Sequence, residues 1–178
     1  MVGSDLNPDA IYHQISLLSP KSDDTLLFYF SGHGYRSSNK TSPWPNLFLT
    51  ATAEGVDFDK ILELLQKKGA RLVIAFADCC NNTLPAHVIP LQRRGLSSTI
   101  KKNYKLLFRK NSGLVAVCSS KAGTPSWCVK DGAIFTNELI LQIHLASQEK
   151  NPPSWKKIIE NTSKEIRELQ EPYFVIEQ

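Results

Sequence analysis

Two apolar runs that stop at reactive side chains constrain this chain more than anything else in it. The first, Leu26–His33, reads LLFYFSGH, and the second, Leu72–Asn81, reads LVIAFADCCN. A short, continuously apolar run bounded by turn residues suits a strand buried on both faces of a parallel sheet. In open α/β sheets the working residues gather beyond the carboxyl ends of the strands, so His33 and Cys80 are expected side by side. They stand 47 positions apart. A catalytic histidine precedes its cysteine by roughly 50 residues in one known class of sequence. Residues of these two types, so placed, are candidates for nucleophilic acyl transfer, with the imidazole as acid–base partner of the thiol.

Ser31-Gly32-His33-Gly34 closes the first run and Asp78-Cys79-Cys80-Asn81 the second. A third run ends at Cys118-Ser119-Ser120 and leads on to Gly132-Ala133-Ile134-Phe135-Thr136. In this order the motifs resemble those of the caspase-like cysteine peptidases (the peptidase C14 family), nearest the metacaspase and bacterial caspase-family branch. Those proteins read SGHG at the histidine, D-x-C at the nucleophile and G-x-F-T at the entry to a later helix. The resemblance covers most of the chain from about Asp23 onward.

It implies an α/β fold, a three-layer sandwich with a mostly parallel sheet between helices. The activity implied is peptide hydrolysis by a Cys80–His33 dyad, with the backbone N–H groups of Gly34 and Cys80 holding the oxyanion. Asp78 is implied to line the pocket for the substrate side chain, although an aspartate there also suits a cap on the following helix. From the Ser120–Gly132 loop, Asp131 and Trp127 are candidates for the same pocket. Asp131 also suits an ordinary turn before glycine, and Trp127 suits core packing equally well. A carboxylate pocket predicts cleavage after arginine or lysine and refusal of aspartate. No metal or organic cofactor is expected, since Glu54, Asp57 and Asp59 are too few for a calcium cage.

The metacaspase pattern continues His-Ser-Gly after the nucleophile, whereas this chain has Asn81-Asn82-Thr83. That departure leaves open a degenerate pseudopeptidase, acting as a binding or scaffold domain. Separase-like and CHAT proteins share the two strand ends as well; Asp78 favours the metacaspase side. Domains of this family open with a strand and helix before the histidine strand, and often with a second strand or hairpin. Here about two dozen residues precede it. The expectation is an N-terminal fragment or second subunit that completes the sheet, without which the histidine strand would be an apolar edge.

One domain over 1–178 is the natural reading of the length. A charge of +4 is spread over pairs such as Lys67-Lys68, Arg93-Arg94, Lys101-Lys102 and Lys156-Lys157. Nucleic-acid binding would need a denser basic patch. No apolar stretch approaches a membrane span, and the N-terminus lacks a signal-peptide pattern. A cytoplasmic protein with reduced cysteines is expected. Cysteines at 79, 80, 118 and 128 give no paired CxxC zinc site. In strand alternation Cys79 faces away from Asp78 and Cys80, so it is expected to fill core space. Cys118 and Cys128 are expected to be inert, and His13, His87 and His144 lie away from the strand ends.

The remaining elements follow from period and turn chemistry. Asp9 is expected to cap a helix with Ile11, Ile15 and Leu18 inward, followed by a strand over Thr25–Ser31. A polar loop spans Tyr35–Asn46, and Leu47–Leu49 forms a brief strand. Phe58–Lys68 reads as a helix capped by Asp57 and stopped by Gly69. Strands are expected at Arg71–Ala77, Leu114–Ser119 and Pro172–Ile176. Helices are expected at Thr136–Ser147 and Ser154–Leu169, the latter with Trp155, Ile158, Ile159 and Ile166 inward. Residues 83–110 read as a mobile linker with one short helical piece. Its Arg93, Arg94, Lys101 and Lys102 are candidate self-processing positions.

Overall fold

The computed structural model describes residues 6–82, 102–129 and 132–178. Helix α1 (Pro8–Leu17) starts on Asn7, whose carboxamide accepts the Ala10 amide at 2.8 Å. The cap is therefore Asn7 and not Asp9. Pro8 is suited to the first helical position because it has no N–H to lose, and that moves the cap one residue earlier. Asp9 lies in the first turn, where its charge suits the helix dipole. Ile11 and Ile15 are buried as expected, but Leu18 follows the helix and is exposed.

Strand β1 (Thr25–Ser31) leads into β2 (His33–Tyr35), which pairs antiparallel with β3 (Asn46–Leu49); β3 pairs in turn with β4 (Glu54–Asp57). Of these three short strands only β3 was legible beforehand, since Leu47-Phe48-Leu49 is an apolar run and β2 and β4 have none. Helix α2 (Phe58–Gln66) buries Phe58, Ile61, Leu62 and Leu65, and the Asp57 carboxylate caps it by accepting the Asp59 amide. Gly69 stops it in the left-handed region at φ +72°. Next come β5 (Leu72–Asp78), α3 (Lys102–Arg109), β6 (Gly113–Cys118) and a small antiparallel pair, β7 (Cys128–Val129) with β8 (Gly132–Ala133). Helices α4 (Ile134–Gln148) and α5 (Trp155–Ile166) and strand β9 (Tyr173–Glu177) complete the order. Within the expected linker 83–110, residues 102–109 are thus helical, and 83–101 lie outside the described residues.

The main sheet runs β1-β5-β6-β9, with β1, β5 and β6 parallel and β9 antiparallel. Helices α1 and α2 cover one face, where Ile11, Phe58, Ile61 and Leu65 meet Val73 and Ala75. On the other face, Leu107 of α3, Phe135 of α4 and Trp155 of α5 share a core with Ile74, Phe76 and Val115. The three-layer α/β sandwich with a mostly parallel sheet is what the molecule forms.

All seven residues of β5 are buried, as a strand covered on both faces requires. β1 differs from the expectation. Among the described residues it pairs only with β5, and Leu27 and Tyr29 remain 60% and 47% exposed. Leu26, Phe28 and Phe30 pack inward toward the α1–α2 side, so β1 is a half-buried edge strand.

Candidate active site

The geometry of the site starts from strand register. Along β1 and β5 every partner lies 47 positions on, from Thr25 with Leu72 to Ser31 with Asp78. The same register continues past the strands, because in a parallel pair an amide bonds the carbonyl one residue before its partner, 46 positions on. The Gly32 amide donates to the Asp78 carbonyl at 3.2 Å, and the Arg36 amide donates to the Asn82 carbonyl at 3.0 Å. A parallel ladder in this register brings His33 level with Cys80. Gly34 allows the close approach. A Cβ there would lie 2.4 Å from the Cys80 carbonyl oxygen and 2.5 Å from Cys79 Sγ, so any side chain would force the two segments apart.

His33 is exposed at the rim, while Cys80 is buried. The hydrogen bonds of Cys80 Sγ run to Ser126. The thiol donates to the Ser126 carbonyl at 3.5 Å, and the Ser126 amide donates to the sulfur at 3.4 Å. No hydrogen bond joins His33 to Cys80 among the described residues. Catalytic hydrogen bonds are often long in apo structures and tighten around substrate. Burial pushes the Cys80 thiol above its ordinary value, the Ser126 amide pulls it down, and the charges of Cys128 and Asp78 raise it. Cys79 is buried in the α1–α2 core, and burial holds its thiol well above the ordinary range. The Cys118 thiol is pushed up to about 12, chiefly by burial. Cys128 is exposed.

Asp78 is buried among donors. Its Oδ1 accepts the Ser126 hydroxyl at 3.2 Å, and its Oδ2 accepts both the amide, at 3.0 Å, and the hydroxyl of Thr136. Thr136 lies in the first turn of α4, whose own cap residue, Ala133, brings no side-chain hydrogen bond. Asp78 thus caps α4 from the end of β5, occupying the role an N-cap carboxylate usually fills locally. Burial raises its carboxyl above the usual value, and the Thr136, Ser119 and Ser126 hydrogen bonds offset part of that rise.

The loop beyond β6 is held by further polar contacts. The Ser119 hydroxyl donates to Ser126 Oγ at 2.8 Å, and the Ser120 hydroxyl donates to the Cys79 carbonyl at 2.9 Å. Gln170 donates to the Ser119 carbonyl and accepts the Trp127 amide, each at 3.0 Å. The Trp127 side chain is half-buried and packs against the α4–α5 core. Asp131 and His87 lie outside the described residues. Of the sequence-derived candidates, the structure therefore gathers His33, Gly34, Asp78 and Cys80.

Sequence reasoning missed Ser126, and it named Thr136 only within a motif, without its bonds to Asp78. Ser126 acts on the sulfur through backbone groups, which every residue type carries. Asp57 and Asp59, weighed as cation ligands, both close on the Lys40 ammonium, at 2.6 and 2.8 Å. The Lys40 hydrogen bond and its charge help hold the Asp59 carboxyl below its usual value against the opposing effect of burial. Among the described residues no helix is long and apolar enough to cross a membrane.

Compared with known families, the chain matches the caspase domain of peptidase C14 over residues 2–176. No curated protein matches it.

Proposed function

The chain belongs to the caspase-domain family, and on that premise we propose that it is a cysteine endopeptidase of the metacaspase side, cutting after arginine or lysine. The observation that carries the reading is the 47-position offset between β1 and β5, which the bonds beyond the strands continue and which supports a pairing of His33 with Cys80 beside the Ser126 amide. In the reaction, His33 takes the thiol proton as Sγ attacks the scissile carbonyl carbon. The carbonyl electrons move to oxygen, and the N–H groups of Gly34 and Cys80 hold the resulting oxyanion. One such donor contributes about 3–4 kcal/mol in comparable sites. The C–N bond then breaks as His33 protonates the leaving amine, and water hydrolyses the thioester with His33 as base.

Asp78 supports the specificity. Its donors are hydroxyl and amide groups, with no cation among its hydrogen-bond partners within the described residues. A substrate guanidinium would supply the missing positive charge and meet the carboxylate with charge-assisted bonds. An acidic side chain would add like-charge repulsion to its own desolvation. Matched reporter peptides differing only at the residue before the scissile bond test this. Turnover after arginine, lost in Cys80→Ala, is the expected result. Equal or better turnover after aspartate would remove Asp78 from the pocket, and no turnover on any peptide would favour the pseudopeptidase.

A further inference from the structure

Asn81, the residue after the proposed nucleophile, has 0% of its surface exposed. Its Nδ2 donates to the Pro43 carbonyl at 2.7 Å and to the Ser120 carbonyl at 3.3 Å, while Oδ1 faces Arg36 Nη1 at 3.5 Å. Its backbone amide donates to the Thr124 carbonyl at 3.1 Å, and its own carbonyl accepts the Gly123 amide at 2.8 Å. Both side-chain donors and the side-chain acceptor are thereby used.

The partners matter more than their number. Pro43 belongs to the connection between β2, which carries His33, and β3. Ser120, Gly123 and Thr124 belong to the loop that brings Ser126 to the sulfur. The side-chain bonds span 38, 39 and 45 positions of sequence, so none of them shapes a local turn. Arg36 reinforces the junction, its amide on the Asn82 carbonyl at 3.0 Å and its Nη2 on the Lys40 carbonyl at 2.6 Å. Lys40 is anchored in turn to Asp57 and Asp59 at the start of α2. A neutral carboxamide with two donors suits a junction crowded with carbonyl oxygens, where a carboxylate would be repelled.

We propose that Asn81 is a positioning residue. Its carboxamide clamps the connection that follows His33, and the loop that carries Ser126, onto the turn that carries Cys80. The proposal rests on the peptidase reading above. Removing the clamp leaves the thiol and its reactivity in place and loosens the alignment of the bound carbonyl with it. A displacement of about 1 Å at such a site costs roughly 100-fold in rate.

Two reagents separate positioning from simple structural support. A peptidyl acyloxymethyl ketone ending in arginine reports oriented attack by Cys80, and iodoacetamide reports the bare reactivity of the same thiol. Both are applied to the Cys128→Ser background, with labelling assigned to Cys80 by peptide mass mapping. In Asn81→Ala and Asn81→Asp the peptidyl reagent should slow by about 10–100-fold, with iodoacetamide reacting at nearly the parental rate and circular dichroism unchanged. If the Asn81 variants do not fold, Arg36→Ala carries the same test from the other side of the junction, with a smaller loss. A folded variant that keeps the parental peptidyl rate overturns the clamp alone, as does a parallel loss with both reagents. A parent protein whose Cys80 ignores the peptidyl reagent overturns the peptidase reading and the clamp with it.

Discussion

Cys79 and Cys80 are neighbours with opposite surroundings, and the difference supports the separate roles we propose for them. Cys79 lies under Gly34 in an apolar core, while Cys80 meets the Ser126 amide beneath the rim that carries His33. Cys80→Ala and His33→Ala should each abolish peptide turnover in folded protein, because a thiolate without its acid–base partner cannot complete the cycle. Cys79→Ala should retain most activity, at a stability cost of about 1 kcal/mol for the lost buried group. Steady-state kinetics beside thermal melts decides it, and an active Cys80→Ala with a dead, folded Cys79→Ala would reverse the assignment. Asp78 gives a pH test at the same scale. Its folded carboxyl titrates above the usual value. Within that window the folded chain holds a proton that the unfolded chain has released. The Asp78 contribution to stability therefore falls as pH rises through the window, and is constant above it. Asp78→Asn should remove that decline and melt no lower than wild type near neutral pH, while turnover after arginine drops. Melting curves across the acid range check this; a clearly lower neutral melting temperature would mean the carboxylate charge is net stabilising.

At the scale of elements, α4 depends on β5 for its N-terminus. Thr136 is the joint, its amide and hydroxyl on Asp78 and its Oγ1 also 2.8 Å from the Tyr29 hydroxyl. Thr136→Val keeps the amide bond and deletes the hydroxyl. It should lower stability by about 1 kcal/mol and reduce turnover after arginine, since Asp78 is then less constrained. Unchanged melting and unchanged kinetics would show that the amide alone holds the carboxylate. The stretch between β5 and α3 is a separate question. Arg93, Arg94 and Lys101 lie outside the described residues, and Lys102 opens α3. We propose self-cleavage there, after basic residues that match the proposed pocket. Intact-mass spectra of wild type after long incubation should show a clip that Cys80→Ala lacks. Identical spectra, or the same clip in the mutant, end the idea.

For the whole molecule, the exposed edge of β1 is the consequential feature. Its backbone is unpaired on one side among the described residues, and Leu27 and Tyr29 leave apolar surface beside it. Such an edge is a template for another strand. An N-terminal fragment or a second subunit completing the sheet remains our proposal for its occupant. The isolated chain should therefore associate with rising concentration, and Leu27→Lys should weaken that association. Light scattering coupled to size exclusion reads both, and a wild type that stays monomeric throughout would refute the expectation.

Wherever the signal is carried by neighbours in sequence, the sequence by itself determined the answer. The apolar runs of β1, β5 and β6 and the helical stripes of α2 and α5 show in period and length, because side-chain burial repeats along the chain. The His33–Cys80 spacing was legible for the same reason, since parallel strands in register preserve a constant offset. Only the tertiary structure decided that β1 is buried on one face and not on both, since the two leave similar apolar runs. It alone made Asp78 the cap of α4, placed the Ser126 amide on the nucleophile's sulfur and joined Asn81 to Pro43 and Ser120. Those contacts link backbone groups and short polar side chains across 38 to 58 positions of sequence. Backbone amides and carbonyls are the same in every residue, so their partners are settled only when the chain closes on itself.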